Sequence, residues 1–567
     1  MVGISFITLL MSLQIHKLFT WNRFAMVVCM LVFIALRLVA LDQQYLLHDE
    51  RDLSLTGYAI AHTGKDFMGV QFPLNFPDTN PNSPPVPYYF NALWWLLGIP
   101  LSVFAVRLPY VLFTSLLIPA LYDIVFQLTK KKSYAWCTTL IFISSPWIFH
   151  ITRLGLDSQL ALTLTLIALS LAIRRQLVAS LIFFFLAMNT YQAYRVVVPL
   201  LMLSVPFIHG VPAGLKKHIH QIFFWVVVVC VFTGITFMLN SNTISHRAGN
   251  ELIFTNLDSY SSQIDLDRQA AGVRPLIQSI FINKFTAVSN VIGQKLIDTL
   301  SPSFLFWRGD YSVTGSPFSG SFYFITFLFL LLGLVGLHQM EKRLLKIVLI
   351  SLIVGWVPVA IHRGDTAIAL RGSFMTIGFA LLISQGLISS YFMLKSRTLV
   401  VRCIFLIVFM TGLIANIATS AFTYYKQRPL QASEFFVEKE RQIALKMLAS
   451  SEKHTVYAQI PQEVALAYQL QTRDVRLFET PPVSLARPQT FYSGKNQYIK
   501  CEGNARDFVN ISKDTRIIER SCTDDLIAKT IEEQIGESNI IRTSDFSHLP
   551  VYYYIPAGVE ITVLSQP

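Results

Sequence analysis

The sequence predicts an all-α polytopic membrane bundle followed by a small mixed α/β domain. Three observations lead there. Hydrophobic residues fill 53% of the 567 positions and charged residues only 14%, whereas soluble domains carry nearer a quarter charged residues. About eleven apolar runs approach the length that spans a bilayer. Basic clusters recur in alternate connections between those runs, the pattern of cytoplasmic loops.

The apolar runs fall near residues 22–41, 105–128, 134–150, 157–173, 177–190, 195–208, 221–239, 320–338, 346–361, 372–394 and 399–421. The fifth and sixth are short and also fit a re-entrant pair. Residues 3–14 fall short of the roughly 20 residues needed to cross. They lack a good small-residue cleavage site and are expected to form a cytoplasmic or interfacial lead-in. Lys130-Lys131-Lys132, Arg174-Arg175, Lys216-Lys217, Lys342-Arg343, and Lys395 with Arg397 mark the inner side. The N-terminus is therefore expected inside and everything after residue 424 outside. The net charge of +12 is spread over short basic clusters between the apolar runs. With no extended basic stripe or RNA-binding signature, nucleic acid is set aside as a partner.

This gives a transmembrane module over 1–424, with long outer loops at about 42–104 and 240–319, and an external domain over 425–567. In the second loop Ile277, Phe281, Phe285, Val288, Ile292 and Leu296 recur at helical spacing. Such a helix either lies on the bilayer surface or packs on its own bundle. In the external domain, strand-like Thr455–Ala458 and Val551–Tyr554 alternate with helix-like stretches near 434–450 and 523–535. Cys29, Cys137, Cys230 and Cys403 lie in apolar runs, where cysteine acts as a small hydrophobe. Cys501 and Cys522 alone fall in the external domain, and an oxidising compartment predicts a disulfide between them. Two free thiols are the alternative.

The densest ionic group, His48-Asp49-Glu50-Arg51-Asp52, follows directly on the first run. It is either a solvated helix exit or a site. Leu53–Thr63 is apolar enough to lie on the membrane and keep the acids near its surface. On a helix, Asp49 and Glu50 diverge by about 100°. One of them can point into a given cavity while the other pins a neighbouring cation. Other outer turns supply His150, Arg153 and Asp157; Tyr191, Gln192, Tyr194 and Arg195; and His362, Arg363, Asp365 and Arg371. Arginine is normally depleted on this face, and beside histidine and aromatics it suits a phosphate at the membrane surface. Taken singly, each arginine also fits snorkelling or local pairing. Arg37 and Asp123, near the ends of their runs, both permit snorkelling.

These residues carry a family likeness over about residues 40–390. The chain resembles bacterial members of the GT-C superfamily, glycosyltransferase family 39, whose relatives include protein O-mannosyltransferases and lipid A aminoarabinose transferases. Asp49-Glu50 sits where that family has its first-loop Asp-Glu motif. Thr63-Gly64-Lys65-Asp66 with Gly69, Ser83-Pro84-Pro85 with Tyr88 and Tyr89, and Ala105–Pro109 are similar to its next blocks. Ser145-Pro146-Trp147 through Arg153 and Asp157, Tyr191–Pro199, and Val357-Pro358 through Arg371 follow in order. Two positions depart: Ser83 stands where many relatives have lysine, and Asp157 where related chains often carry glutamate.

The resemblance implies an enzyme of the bacterial inner membrane with its site on the outer face. It would move a sugar from a polyprenyl-phosphate donor to a hydroxyl on a protein, lipid or glycan acceptor, with inversion. Asp49 would be the general base, with Glu50 as partner or substitute. Arg195, Arg363, Arg371, Arg153 and Arg247 are candidates for the donor phosphate. Asp157, Tyr88, Tyr191, Tyr194 and His362 are candidates for positioning the acceptor or substrate. No cofactor is required; Asp157 could instead help hold a divalent cation, but no spacing here is specific for a metal. A transporter or flippase of lipid-linked sugars would also carry many helices and outer arginines. It would more often show midplane polar groups or two matching halves, and neither is visible here. A non-catalytic assembly subunit, or a polymerase or ligase of lipid-linked glycans, would not need the acidic pair. The cysteine reading has a direct test: in native protein without reductant, Cys501 and Cys522 should resist maleimide, and labelling of both would contradict the bond and the topology together.

Overall fold

The computed structural model describes residues 21–66, 69–76, 83–209, 215–255, 257–310, 312, 315, 320–363, 367–431, 436, 438–450, 452–472, 490–501, 514–542, 549–559 and 561. The lead-in at 3–14, Asp365 and the side chain of Arg247 lie outside what is described.

A helix covers each apolar run. Among the described residues, five segments are long and apolar enough to cross a membrane: Val103–Thr129, Ile219–Ser241, Lys342–Ile361, Met375–Lys395 and Leu399–Gln427. Asp157–Ile173, Leu177–Met188, Tyr194–Ile208 and Phe324–Gln339 are shorter apolar helices. The first run forms the helix Trp21–Leu38. The run expected as one helix over 134–150 is two, Lys132–Ser144 and Pro146–Ile151. Pro146 has no N–H to continue the first ladder, and Ser145 Oγ caps the second helix by accepting from Ile148 N–H at 3.3 Å. The seventh run lengthens to Leu215–Glu251, with non-helical backbone at Asn240, and so reaches into the expected outer loop.

The stretch expected as a single helix over 277–296 is likewise divided, into Pro275–Phe281 and Lys284–Leu300. Asn283 starts the second piece: its side chain accepts from the Thr286 N–H at 3.0 Å, while Thr286 Oγ1 accepts from the Asn283 N–H.

One apolar core runs through the bundle, from Phe33 on the first helix through Leu121, Leu162 and Leu201 to Phe379 on Met375–Lys395. The short helix Phe327–Val335 crosses Met375–Lys395 at Gly333 and Gly386, where a Cβ on either would strike backbone of the other helix. Leu399–Phe422 buries none of its side chains and turns an apolar surface outward, as a lipid-facing helix must.

The segment expected as the first outer loop corrects one expectation. Its helix His48–Thr63 does not lie on a membrane surface: every residue from Glu50 to Ile60 is buried. It packs against Pro85–Trp95 on one side and the C-terminal helix Pro461–Thr472 on another. Leu46, Leu55, Tyr58, Trp95, Leu101, Leu466 and Leu470 form one apolar cluster there. The apolar content of Leu53–Thr63 serves protein packing.

The C-terminal domain is a six-stranded mixed sheet with helices, in the order β2-β3-β1-β4-β6-β5. Its strands are β1 (His454–Ala458), β2 (Thr490–Ser493), β3 (Asn496–Lys500), β4 (Thr515–Glu519), β5 (Ile540–Arg542) and β6 (Pro550–Ile555). β1 is central and parallel to β3 and β4; the other pairings are antiparallel. Cys501, just after β3, is disulfide-bonded to Cys522, just after β4, with Cα atoms 5.7 Å apart.

Gly57 sets how closely the two first-loop helices approach, since an added Cβ would sit 2.5 Å from Asn91 Cβ and 2.9 Å from the Tyr88 carbonyl oxygen. Gly57→Ala should therefore lower stability by about 1–3 kcal/mol. A thermal midpoint equal to wild type would show that the helices do not meet there.

Candidate active site

The helix His48–Thr63 begins with its own ionic fasteners. Glu50 is fully buried and receives Arg107 in a bidentate pair, Nε to Oε1 at 2.8 Å and Nη2 to Oε2 at 2.7 Å. Glu50 also accepts the Gly155 N–H at 2.6 Å and the Leu47 N–H at 2.9 Å, the latter capping the helix start. Arg107 spends its remaining donors on the carbonyls of Leu41, Gln44 and Tyr45 at 2.7–2.9 Å. A carboxylate so fully engaged is a clamp.

On another face of the same helix, Arg51 is buried between Asp52 at 2.7 Å and Glu463 at 2.6 Å. His48 contacts the same Glu463 at 2.8 Å. Burial opposes the charge on Glu463, but Arg51 and His48 outweigh it and hold the carboxyl down at about 2. Burial also opposes charge on His48, and Glu463 outweighs it, raising the imidazole above its ordinary value. Asp52 goes the other way, pushed up by burial beyond what Arg51 returns.

The structure thus separates the two adjacent acids. With successive side chains about 100° apart, Asp49 points about 100° from both His48 and Glu50, between the two fastened faces. It is half-buried, whereas Glu50 is enclosed. Of the two adjacent acids, Asp49 is the more accessible.

The outer-turn candidates divide into two groups. Arg195, Arg371, His362 and Tyr191 come together, with Gln192 and Glu251, around one cavity of about 190 Å³. Arg195 Nη1 donates to Gln192 Oε1 at 2.6 Å. His362 Nε2 lies 3.8 Å from Glu251 Oε2. The walls are fixed by backbone pairing, Ile253 N–H to the Ile361 carbonyl at 2.9 Å and Arg363 N–H to the Glu251 carbonyl at 2.6 Å. Arg371 and His362 also border a smaller neighbouring cavity with Lys295, whose ammonium donates to the His362 carbonyl. Asp310 secures the Arg371 turn by accepting the Ala369 N–H at 2.7 Å. Burial raises its carboxyl despite these donors and Arg371.

The second group is committed elsewhere. Arg153 donates to the carbonyls of Arg37 at 2.8 Å and Ala40 at 3.0 Å, and stacks on Phe149, Tyr424 and Tyr425. It caps the end of the first helix, away from the cavity. Arg363 is tied through its backbone, and its side chain does not line the cavity. Asp157 is buried and accepts Ser83 Oγ at 2.7 Å. Tyr88 is buried and stacked on Phe76, with its hydroxyl accepting the Ser83 N–H. Tyr194 is buried on Ser373 Oγ at 3.0 Å.

Sequence reasoning missed Arg107 as the partner of Glu50, and missed Glu463, Lys295 and Arg428. Arg428 is buried against His150 at 2.8 Å, and burial pulls its guanidinium down to about 10. Its position a few residues after the last apolar run, beside Pro429, was the available signal. Among the described residues, no group of three or more His, Cys, Asp or Glu side chains is placed to hold a metal ion.

No protein-family model and no curated protein sequence matches the chain. Solved structures do. ArnT from Cupriavidus metallidurans, in the apo state and bound to undecaprenyl phosphate, aligns at 12% identity and TM-score 0.48 over 93% of this chain and 97% of that one. The oligosaccharyltransferase AglB from Archaeoglobus fulgidus, in complex with an inhibitory peptide and a dolichol-phosphate, aligns at 11% identity and TM-score 0.43 over 79% of this chain. The alignment spans 63% of AglB. Both are GT-C-fold glycosyltransferases.

Two predictions follow from the ionic fasteners. Arg107→Ala leaves Glu50 charged and buried, so it should cost about 3–5 kcal/mol of stability, read from denaturant or thermal unfolding in detergent; a loss under 1 kcal/mol would contradict the clamp. Glu463→Gln should show a pH-dependent gap from wild type. The lowered Glu463 contributes stability above the ordinary carboxyl value near 4.3, lost as pH falls toward 2; the raised His48 contributes below about 6.5, lost as pH rises through its folded value. The gap in thermal midpoint should therefore be widest between about pH 4.3 and 6.5, and a gap that does not vary with pH would count against the triad.

Proposed function

We propose that the chain is a membrane glycosyltransferase that takes a sugar from a polyprenyl-phosphate donor and passes it to a hydroxyl acceptor on the outer face of the membrane. One observation carries this reading. Arg195 comes from one turn and His362 and Arg371 from another, yet they border one cavity with Tyr191. Two guanidiniums, an imidazole and a phenol around one open cavity suit a phosphate, which guanidinium donors can grip bidentately. The ordered sequence blocks from Asp49 to Arg371 supply the reaction class.

The chemistry asks little of the protein beyond position and charge. Asp49 takes the proton from the acceptor hydroxyl as its oxygen bonds to the anomeric carbon from the face opposite the phosphate. The bond from that carbon to the phosphate oxygen breaks, and its electron pair leaves with the polyprenyl phosphate. The proton passes from Asp49 to solvent after product leaves. The leaving phosphate gains one negative charge in this step, and Arg195 and Arg371 stabilise it as it develops. A phosphate leaves without protonation, so no general acid is needed. Glu50 keeps its structural post.

The test uses membranes containing the full chain and undecaprenyl phosphate carrying ¹⁴C-labelled glucose, galactose, mannose or arabinose, following label leaving the lipid. Asp49→Asn should lower the rate by about 10²–10⁴-fold, the range of positioned base catalysis, with little change in donor KM. Arg371→Gln should raise donor KM as well as lower kcat. Full activity in Asp49→Asn would remove it as base, and movement of intact lipid-linked sugar without a transfer product would favour a transporter.

A further inference from the structure

Glu463 belongs to the C-terminal domain, 415 residues from His48 in sequence, yet it reaches the first turn of the helix that carries Asp49. Its carboxylate meets His48 at 2.8 Å and Arg51 at 2.6 Å. His48 and Arg51 are three residues apart and share one helix face. The contact is embedded in a wider interface. Leu466 and Leu470, from the same helix as Glu463, enter the apolar cluster with Leu46, Leu55 and Trp95. Gln471 Nε2 donates to Tyr45 Oη at 2.9 Å, the Arg441 guanidinium lies 5.4 Å over the Tyr45 ring, and Phe436 bridges to Leu47.

We propose that Glu463 is a positioning residue for the transfer site: the C-terminal domain grips the His48/Arg51 face while Arg107 grips Glu50, and together they fix the direction of Asp49. A single fastener leaves the helix start free to roll about its axis. Two fasteners on different faces do not. Arg107 comes from the bundle and Glu463 from the external domain, so the base is aimed only when the two parts of the chain are joined. The domain is thereby a component of the active site, although it need not touch the donor. The energetic sense is that of the Arg51–Glu463 pair, with Arg51 fully buried and Glu463 mostly so, whose loss leaves Arg51 with Asp52 alone. The catalytic sense is that a base displaced by about 1 Å loses up to roughly 10²-fold in rate. This inference rests on the reading of Asp49 as the base, and its test separates the two.

The experiment uses full-length protein in nanodiscs and compares wild type, Glu463→Gln, Glu463→Asp and Gln471→Ala. Gln471→Ala removes a hydrogen bond of the same interface without touching the ionic triad. Two readouts are taken: transfer from the labelled undecaprenyl-phosphate sugars, and amide hydrogen exchange over residues 46–56. Glu463→Gln is expected to lower kcat by about 10- to 100-fold with donor KM within about twofold, and to speed exchange at the helix start. Glu463→Asp should recover most of both, and Gln471→Ala should match wild type in both. Equal losses in Glu463→Gln and Gln471→Ala would reduce Glu463 to a docking contact and overturn the proposal. So would exchange and kcat in Glu463→Gln that match wild type. If wild type transfers no sugar, the functional reading fails; the exchange data still decide whether Glu463 orders the helix start. Should Glu463→Gln fail to fold, His48→Gln breaks the same contact from the other side: a lowered kcat with faster exchange over residues 46–56 would support the proposal, and wild-type values at both readouts would overturn it.

Discussion

The buried pair between Glu50 and Arg107 is the constraint on which this end of the bundle is built. A carboxylate and a guanidinium removed from water cost several kcal/mol each unless every lone pair and N–H is met. Here they are met: Glu50 accepts from Arg107, Gly155 and Leu47, and Arg107 closes on three carbonyls of the segment 41–45. That arrangement joins the end of the first helix, the start of the helix His48–Thr63, the helix Val103–Thr114 and the turn at Gly155. Gly155 is part of the lock, since a Cβ there would meet Val106 and Glu50 Oε1 at 3.2 and 3.4 Å. With Glu50 held by Arg107 on one face and Arg51 and His48 held by Glu463 on another, the direction of Asp49 follows from helix geometry.

Arginine does two kinds of work on this face. Arg37 and Arg153 cap carbonyls around the end of the first helix and lie over aromatic rings. Such cations favour a helix C-terminus through its dipole. Arg195 and Arg371 instead border an open cavity. The same residue type in the same kind of turn therefore ends in different roles, according to whether a carbonyl-rich helix end lies within reach. Ser83, before the proline pair, donates to Asp157, and Lys295 donates to the His362 carbonyl.

Much of the architecture was legible because apolar runs and helical periodicity follow directly from burial in a low-dielectric medium. What the runs concealed were the breaks at Pro146, Asn240 and Asn283, where backbone chemistry or a capping side chain overrides periodicity. The apolar stretch Leu53–Thr63 was misleading for a different reason: hydrophobic content does not say whether lipid or protein will cover it. Arg195, His362 and Arg371, singled out in the sequence as polar residues at turns between apolar runs, line one cavity. The partners were not. Arg107 lies 57 residues from Glu50 and Glu463 lies 415 from His48, distances at which no local pattern signals contact. Without Arg107 in view, nothing in the residues themselves separated the two adjacent acids, and only the resemblance favoured Asp49.

The central claim is that the cavity bordered by Arg195, His362 and Arg371 receives the donor's phosphate on the same outer face as Asp49. The most direct measurement is an electron cryo-microscopy structure of the full chain in nanodiscs at saturating undecaprenyl phosphate. The account predicts phosphate density within hydrogen-bond distance of Arg195 and Arg371, with the Glu50–Arg107 pair intact. Phosphate density seated instead among Arg37, Arg153 and Arg428, or a lipid that leaves the cavity empty, would contradict it.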